Sequence, residues 1–309
     1  MAVTLPEALL ARYQRFSLYN SPYPAHDEGC AIDLYPGTLR DGRTSAAPSP
    51  VSGTVLETRA VRAPPKPYAP EHDHLILLEC DGPVDLEGLT ARILHVDPAV
   101  EAGDRVDLGD SLGELVRAGF FAPWVDNHLH VGFRRPDQNP HRASGSLPLE
   151  LGVDVRPLEW DGAGTVVSTG ETYAVIDAPM HPEPGETFVG VRADGSEASE
   201  AGRYSSGRRS EGGGVLDGGL PHYDGGGVHG RPSRSSDPIP VTLNGDRLGV
   251  ARGRTITWDE VVVTANGDPI TGLSLFCARD ADFGAKLICP ERDFAVGERI
   301  SVGIRSSDE

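Results

Sequence analysis

Short strand-like runs separated by turn-forming residues constrain this chain more than any other feature. Runs such as GTVLETRAV, HLILLEC, ARILHV, HLHVGFR and TYAVIDAP lie between clusters of glycine, proline and aspartate, and the sequence contains 38 glycines and 26 prolines. Apolar runs with this punctuation are typical of strands and turns. Helical periodicity is confined to LPEALLARYQRF near the start. The sequence therefore predicts a mainly β protein.

The pattern also predicts how the chain is divided. With 309 residues it is long enough for two domains. We predict a helical lead-in over residues 1–22, a small antiparallel β-sheet or barrel-like module over 23–150, and a second, Gly-rich antiparallel β domain over 151–309. Asn244-Gly245 and Asn266-Gly267 lie between strand-like runs, as tight hairpin turns do. Residues 192–237 read as a low-complexity loop, in which His222, Tyr223 and Asp224 belong either to a flexible surface or to a functional segment.

Charge restricts the partners that the protein can bind. There are 46 acidic and 28 basic residues, a net charge of −18, and Lys66 and Lys286 are the only lysines. This balance argues against nucleic acid or any other polyanion as a partner. An acidic surface poor in lysine is typical of a protein dissolved at high salt, so we expect a halophilic protein.

Neither a signal peptide nor a membrane span is indicated by the sequence. The four cysteines are scattered and none is in a C-x-x-C spacing. We therefore expect a cytoplasmic protein with reduced thiols and no membrane partner.

Two histidines in NHLHVGFR form the candidate metal motif. On a strand, His128 and His130 point to the same face and can converge on one ion, as zinc requires of paired imidazoles. The spacing alone is weak evidence, because exposed strands produce it by chance; His72 and His74 in EHDHL have the same spacing.

The order of the preceding segments adds a resemblance. AIDLYPG, SPVSGTV, ILHV, VEAGDRVDLGDSLG and HLHVGFR follow one another over roughly residues 23–135. This order resembles the lysostaphin-like zinc metallopeptidases (M23 type, with a duplicated hybrid motif), which have a small, mostly antiparallel β fold. The resemblance implies that Asp33 and His130 are zinc ligands and that His95 and His128 are catalytic groups that hold or move a proton. It also implies a peptide-like or small-molecule substrate cleaved by water activated on the metal.

The sequence departs from the family pattern at the first ligand. The family has histidine four residues before the aspartate, where this chain has Gly29. His26 is the preferred replacement, although an odd step of seven residues would point it away from Asp33 on a regular strand. A loop or bulge at Gly29 would permit His26 to bind. Glu28, Asp27 and Cys30 are the alternatives.

Two further features bear on function. RAGFFAPWVDN, with Phe120, Phe121 and Trp124, is either a hydrophobic plug or an aromatic wall for a ligand. Arg134 and Arg135 end the strand and are expected in solvent or against a substrate carboxylate. Two functions follow: a divergent zinc-dependent hydrolase of a peptide or related amide bond, or a non-catalytic module with a degenerate metal site used for binding or scaffolding.

Overall fold

The computed structural model of the protein describes residues 2–82, 85–194, 214–231 and 237–307. The chain folds as two compact units. The first comprises the chain up to Leu18 together with Tyr23–Asp154, and the second comprises Tyr19–Pro22 together with Val155–Glu309. In both units the regular secondary structure is almost all strand, which confirms the predicted mainly β, antiparallel fold class.

Within the part of the first unit that the structure describes there are twelve strands and two short helices. The strands are β1 (Val3–Pro6), β2 (Arg15–Ser17), β3 (Ile32–Tyr35), β4 (Ala46–Pro48), β5 (Gly53–Arg62), β6 (His72–Cys80), β7 (Thr90–Leu94), β8 (Val96–Pro98), β9 (Arg105–Val106), β10 (Ser111–Leu115), β11 (Leu129–Arg134) and β12 (Leu149–Gly152). The helices are α1 (Glu7–Leu10) and α2 (Pro24–Asp27). Each helix is a single turn.

The main sheet of the first unit is antiparallel, with strand order β2-β3-β11-β7-β6-β5-β9. A second antiparallel sheet has the order β4-β10-β8, and β1 pairs with β12 in parallel. In the main sheet His130 lies opposite Asp33 on one side and Leu94 on the other. Since directly opposed residues share a face of a sheet, β3, β7 and β11 carry the candidate site on one face.

The other face of this sheet forms the core of the first unit. Ile76, Ile93, Val131 and Phe133 alternate with the site residues along their strands and are completely buried. Strands with one face in the core have their register fixed, because a slip of one residue would expose this set. The core therefore determines which side chains reach the site.

The helical lead-in predicted over residues 1–22 is reduced to α1. The apolar residues behind that prediction are indeed buried, but Leu5 lies in β1, where it pairs with Leu151 of β12. Helix α1 starts only after Pro6 and ends at Leu10. Pairing with a distant strand, which the local sequence does not indicate, replaces helix at both ends of this segment.

The described residues of the second unit form fifteen strands. They are β13 (Val155–Leu158), β14 (Ala163–Gly170), β15 (Tyr173–Ile176), β16 (Phe188–Val191), β17 (Val215–Leu220), β18 (Gly225–His229), β19 (Ile239–Leu243), β20 (Asp246–Arg252), β21 (Thr255–Trp258), β22 (Val261–Ala265), β23 (Asp268–Pro269), β24 (Gly272–Leu275), β25 (Cys277–Ala278), β26 (Lys286–Ile288) and β27 (Arg299–Ser306). Twelve of them form one antiparallel sheet in the order β19-β20-β21-β18-β17-β24-β26-β15-β14-β27-β22-β23. Strand β16 pairs with β13 in parallel and with β25 in antiparallel orientation.

The predicted hairpins of the second unit are present. Asn244 and Gly245 connect β19 to β20, and Asn266 and Gly267 connect β22 to β23. Both asparagines have positive φ, 56° and 53°, as do the glycines that follow them. Positive φ at two successive residues is the turn geometry that matches the twist of paired strands.

The low-complexity prediction for residues 192–237 is wrong over 215–229, where β17 and β18 form a hairpin inside the large sheet. Aromatic rings pack directly on its glycines: a Cβ on Gly226 would come within 2.1 Å of the Trp258 ring, and one on Gly227 within 2.1 Å of the Tyr19 ring. The glycines therefore serve close packing rather than flexibility. Residues 195–213 and 232–236 of this prediction lie outside the described residues.

None of the four cysteines, all of them in the described part of the chain, forms a disulfide. Across the described ranges, no helix has the length and apolar character needed to cross a membrane.

Candidate functional site

His26, Asp33 and His130 converge at one point of the first unit. Their facing atoms are His26 Nε2, Asp33 Oδ1 and His130 Nδ1, separated by 3.0 Å between the two nitrogens, 3.3 Å from His26 to Asp33 and 3.0 Å from His130 to Asp33. Ligands about 2.0–2.1 Å from a tetrahedrally coordinated ion lie about 3.3–3.4 Å from one another. The three residues therefore form a group that could bind a metal ion.

The chain geometry around Gly29 explains how His26 reaches this group. His26 lies in helix α2 rather than on a strand, and Gly29 follows the helix with a φ of 62°. The amide of Cys30 donates to the carbonyl of Ala25 at 2.7 Å, and that of Gly29 to the carbonyl of His26 at 2.9 Å. These two bonds and the left-handed glycine form a Schellman motif. The glycine at the expected histidine position thus ends the turn that carries the replacement histidine.

Hydrogen bonding orients the His26 ring toward the group. Its Nδ1 lies 2.7 Å from the carbonyl oxygen of Leu18, which can only accept, so Nδ1 holds the proton and Nε2 presents a lone pair. The lone pairs of His26 Nε2 and Asp33 Oδ1 therefore converge, and a proton or a metal ion between them is required. Two nitrogens and one carboxylate oxygen, with a fixed second hydrogen bond on the first histidine, are the donor chemistry of catalytic zinc sites.

The acid–base balance of the group favours ligands in their deprotonated forms. Burial alone would raise the pKa of the Asp33 carboxyl, but the surrounding His26, His128 and His130 hold it well below its ordinary value. Burial lowers the pKa of His130 to about 4, although its hydrogen bond to Asp33 opposes this shift. A carboxylate and neutral imidazoles are the forms that bind metal.

His128 lies beside the group on the same face of the sheet. Its Nδ1 donates to the carbonyl of Asp126 at 2.8 Å, and its Nε2 is 3.6 Å from Asp33 Oδ2, beyond hydrogen-bond range. Burial lowers the pKa of His128 to about 4, with Asp33 opposing the shift. The ring is therefore neutral near pH 7, and Nε2 is its proton acceptor.

The segment before His128 is held by buried polar contacts. Arg15 forms an ion pair with Asp126 at 3.0 Å, and both side chains are buried. The side chain of Asn127 donates to the carbonyls of Arg43 and Thr44 at 3.2 and 3.1 Å. The carbonyl that fixes the His128 ring is therefore itself fixed.

His95 completes the set of four histidines predicted from the sequence. It follows β7 with a φ of 73°, and its ring centre lies 4.9 Å from that of His128 and 5.9 Å from that of His130. Its Nδ1 is 2.6 Å from Asp73 Oδ2, and both residues are buried. A non-glycine residue at positive φ costs energy and is held there by its surroundings, here by Asp73.

Asp73 is the site residue that sequence reasoning missed. It lies between His72 and His74, the pair regarded as a chance occurrence of the H-x-H spacing. On β6 it points to the same face of the sheet as Leu75 and Leu77. The sequence did contain a sign of this role: Asp73 alternates with Leu75 and Leu77 on the strand, and a carboxylate on the same face as two buried leucines is rarely left without a partner. Burial raises its pKa, but His95 and the amide of His74 outweigh this and keep the pKa below its ordinary value.

The aromatic segment packs against His95 and His128. The centre of the Phe121 ring lies 4.7 Å from that of His128 and 4.9 Å from that of His95, and the Arg117 guanidinium lies 4.5 Å from the Phe121 ring centre. Phe120 is less buried and contacts Tyr23 edge-on. Phe121 thus serves as packing and as one wall of the site.

The remaining candidates do not join the group. Cys30 is buried and its Sγ lies near the carbonyl of Glu28, while Asp27 and Glu28 are exposed. His74 lies 3.7 Å from Asp97 and His72 is exposed. In the second unit His222 packs against Tyr223 at the turn between β17 and β18, with Asp224 exposed beside it.

Comparisons with known proteins give a structure and a family. Three solved chains match, among them the NMR solution structure of lysostaphin, with 14% identity over 89% of this chain and 91% of that chain and a TM-score of 0.27. No curated protein matches the sequence. Residues 4–151 match the N-terminal domain of the family described as a domain of unknown function, DUF8155, and residues 156–305 match its C-terminal domain. With both domains present in order, the chain belongs to the DUF8155 family.

Proposed function

We propose that the first unit is a zinc-dependent hydrolase that cleaves a peptide or related amide bond with a water molecule. The observation that carries this proposal is the convergence of His26 Nε2, Asp33 Oδ1 and His130 Nδ1 within 3.3 Å of one another. The resemblance of the ordered segments to the M23-type metallopeptidases is in agreement with it.

The fold holds the proposed ligand residues in position. His26 is oriented by the Leu18 carbonyl and Asp33 by the register of β3 against β11, so the site is preformed by the fold. The chemistry that zinc supplies in such a ligand set is a water molecule of lowered pKa and a polarised amide carbonyl. His26, Asp33 and His130 would hold the zinc, and a set of three protein ligands would leave it able to bind water or substrate.

His128 and His95 handle protons in this proposal. Each has its Nδ1 proton engaged, by the Asp126 carbonyl and by Asp73, so each presents Nε2 as an acceptor. A neutral imidazole can take the proton of the attacking water, and the resulting imidazolium can donate to the oxyanion or to the leaving amine. Asp73 stabilises the charge that His95 acquires in this step.

The metal content of the purified protein tests the ligand assignment. We expect close to one zinc per chain in protein purified without added metal, and loss of that zinc in His26→Ala and His130→Ala. His74→Ala is the matched control, because this histidine is also near a carboxylate but lies outside the group. A parent protein without bound metal would refute the hydrolase.

Catalysis requires a separate measurement. Incubation with a mixture of synthetic peptides, followed by mass spectrometry, should give cleavage products that disappear with a chelator and return when zinc is added. Stoichiometric zinc without cleavage would instead support the non-catalytic binding module.

A further inference from the structure

Two buried arginines lie on the same face of the sheet as the candidate metal group. Arg92 on β7 is directly opposite Gly132 on β11, two residues from His130, and Arg134 is two residues further along β11. Two residues of strand span about 7 Å. Arg92 is 9% exposed and Arg134 is 1% exposed, so the expectation that Arg134 is solvated is wrong.

Neither arginine has a carboxylate partner among the residues that the structure describes. Arg134 donates one hydrogen bond, to the carbonyl of Arg142 at 2.9 Å, and the buried Nε atoms of both arginines have no acceptor. Asp73 supplies negative charge that acts on Arg92, but its Oδ2 is bonded to His95. A guanidinium has five N–H donors, and in both arginines the buried Nε–H has no acceptor among the described residues.

The two charges also repel each other. Burial, and then the neighbouring Arg134, lower the pKa of Arg92 to about 10. Asp73 offsets this repulsion only in part, and two like charges buried side by side are costly for the fold. An anion bound against Arg92 would remove the repulsion and occupy the free donors.

The surroundings favour a group on an organic substrate rather than a free ion. Leu75, Leu77 and Leu94 form an apolar cluster on this same face, with Leu94 opposite His130 and Leu77 opposite Arg92. An apolar surface with a few polar groups at fixed positions is the usual form of a small-ligand site. Arginine binds a carboxylate through two parallel hydrogen bonds.

We propose that Arg92, together with Arg134 on the neighbouring strand, binds a carboxylate of the substrate about two residues from the amide that is cleaved. The inference rests on the proposed hydrolase function, because the metal group defines where cleavage takes place. It names the substrate class: peptides or related amides with a carboxylate, at a free C-terminus or on an acidic side chain.

Binding of matched peptides to chelator-treated protein tests the proposal without requiring turnover. The probes are N-acetylated tetra-alanine amide, the same peptide with a free C-terminal carboxylate, and the amide with glutamate as its third residue. We expect one or both carboxylate peptides to bind at least about tenfold more tightly than the neutral one by calorimetry. Which of them binds identifies the source of the carboxylate.

Variants distinguish binding by Arg92 and Arg134 from a general attraction of the carboxylate to positive charge on the protein. Arg92→Gln and Arg134→Gln should abolish the preference, Arg92→Lys should keep part of it, and Arg105→Gln should leave it unchanged because Arg105 is an exposed residue paired with Asp81. Arg92→Met should unfold at the same or a higher temperature, because it removes a buried charge without a partner. A purely structural arginine would give a lower unfolding temperature.

Two outcomes would overturn the inference: equal binding of all three peptides to the parent protein, or a preference that survives Arg92→Gln. A failure of the proposed hydrolase function would be detected by a different measurement, the zinc content of the purified protein. Bound zinc without a carboxylate preference refutes only the arginine site, whereas a carboxylate preference in a protein that never binds zinc refutes only the hydrolase.

Discussion

One nearby acceptor distinguishes the two ring nitrogens of each of three histidines. Nδ1 donates to the Leu18 carbonyl in His26, to Asp73 in His95 and to the Asp126 carbonyl in His128. Their Nε2 atoms are left for metal or protons, whereas His130 uses Nδ1 toward Asp33. The hydrogen bond at Nδ1 fixes the tautomer and the ring orientation of each histidine, as such contacts commonly do for metal ligands and general bases.

The Asp73 carboxylate should matter for catalysis but not for metal content. Asp73→Asn removes the charge that stabilises a protonated His95, so we expect peptide cleavage to fall about 10–100-fold while bound zinc stays at the parent level. Zinc analysis and the pH profile of cleavage measure the two effects. Asp97→Asn is the control, because Asp97 is an exposed carboxylate near His74. An equal loss in both variants would contradict the role of Asp73.

Acid should destabilise the metal-free protein. His128 and His130 have pKa values of about 4 in the fold, below the ordinary value of 6.5, so the unfolded chain binds more protons between pH 6.5 and 4. The free energy of unfolding should therefore fall as the pH drops through this window, by on the order of 3 kcal/mol for each fully shifted histidine. Asp33, with its lowered pKa, adds a loss of the same sign at lower pH.

Urea unfolding of chelator-treated protein at pH 7.0 and 5.0 measures this dependence. His128→Gln should reduce it, because that variant has one fewer histidine to protonate on unfolding. Stability that is constant or rises toward pH 5 would contradict the assignment.

At the scale of elements, the one-turn helix α2 and Gly29 determine whether the metal group forms. The sequence predicted the strands well, because alternation and turn residues are local signals: Asn244-Gly245 and Asn266-Gly267 lie at hairpin turns. It ranked His26 first among the replacements for the missing histidine but could not predict how its side chain reaches the group, since that direction depends on a helical turn too short to produce a periodic pattern. The prediction of an extended helix near the start failed because a local helical pattern was overridden by a distant partner: β1 pairs with a strand more than 140 residues away.

Gly29→Ala tests this element. At a φ of 62°, alanine should cost about 1–2 kcal/mol and displace His26, so zinc affinity should fall along with stability. Gly88→Ala is the matched control, with a φ of 73° at an exposed turn and open space where a Cβ would lie. Thermal unfolding and zinc titration should show similar loss of stability in both variants but loss of zinc only in the first. Equal zinc affinity in both would refute the role of Gly29.

At the scale of the whole molecule, the net charge of −18 produces strong self-repulsion in dilute buffer. Raising the salt concentration from 0.1 to 1 M shortens the Debye length from about 10 to about 3 Å, so we expect the unfolding temperature to rise. Sodium chloride is the suitable salt, because sulfate also strengthens apolar burial. An unfolding temperature that is unchanged or lower at 1 M would contradict the proposal that the protein is adapted to high salt.

The sequence by itself determined the mainly β fold and the hairpins of the second unit, because alternation and turn residues are local properties of the chain. The candidate residues Asp33, His95, His128 and His130 were implied by the resemblance of the ordered segments, and His26 was the preferred replacement for the first ligand. Only the tertiary structure decided that His26 lies within 3.3 Å of Asp33 and His130, that Asp73 contacts His95, and that Arg92 and Arg134 lie on the same face of the sheet as His130. These relations depend on strand register and on a left-handed turn, which bring together residues up to about a hundred positions apart. Burial then decides their chemistry, since the same side chains in water would be solvated, protonated differently and unable to converge.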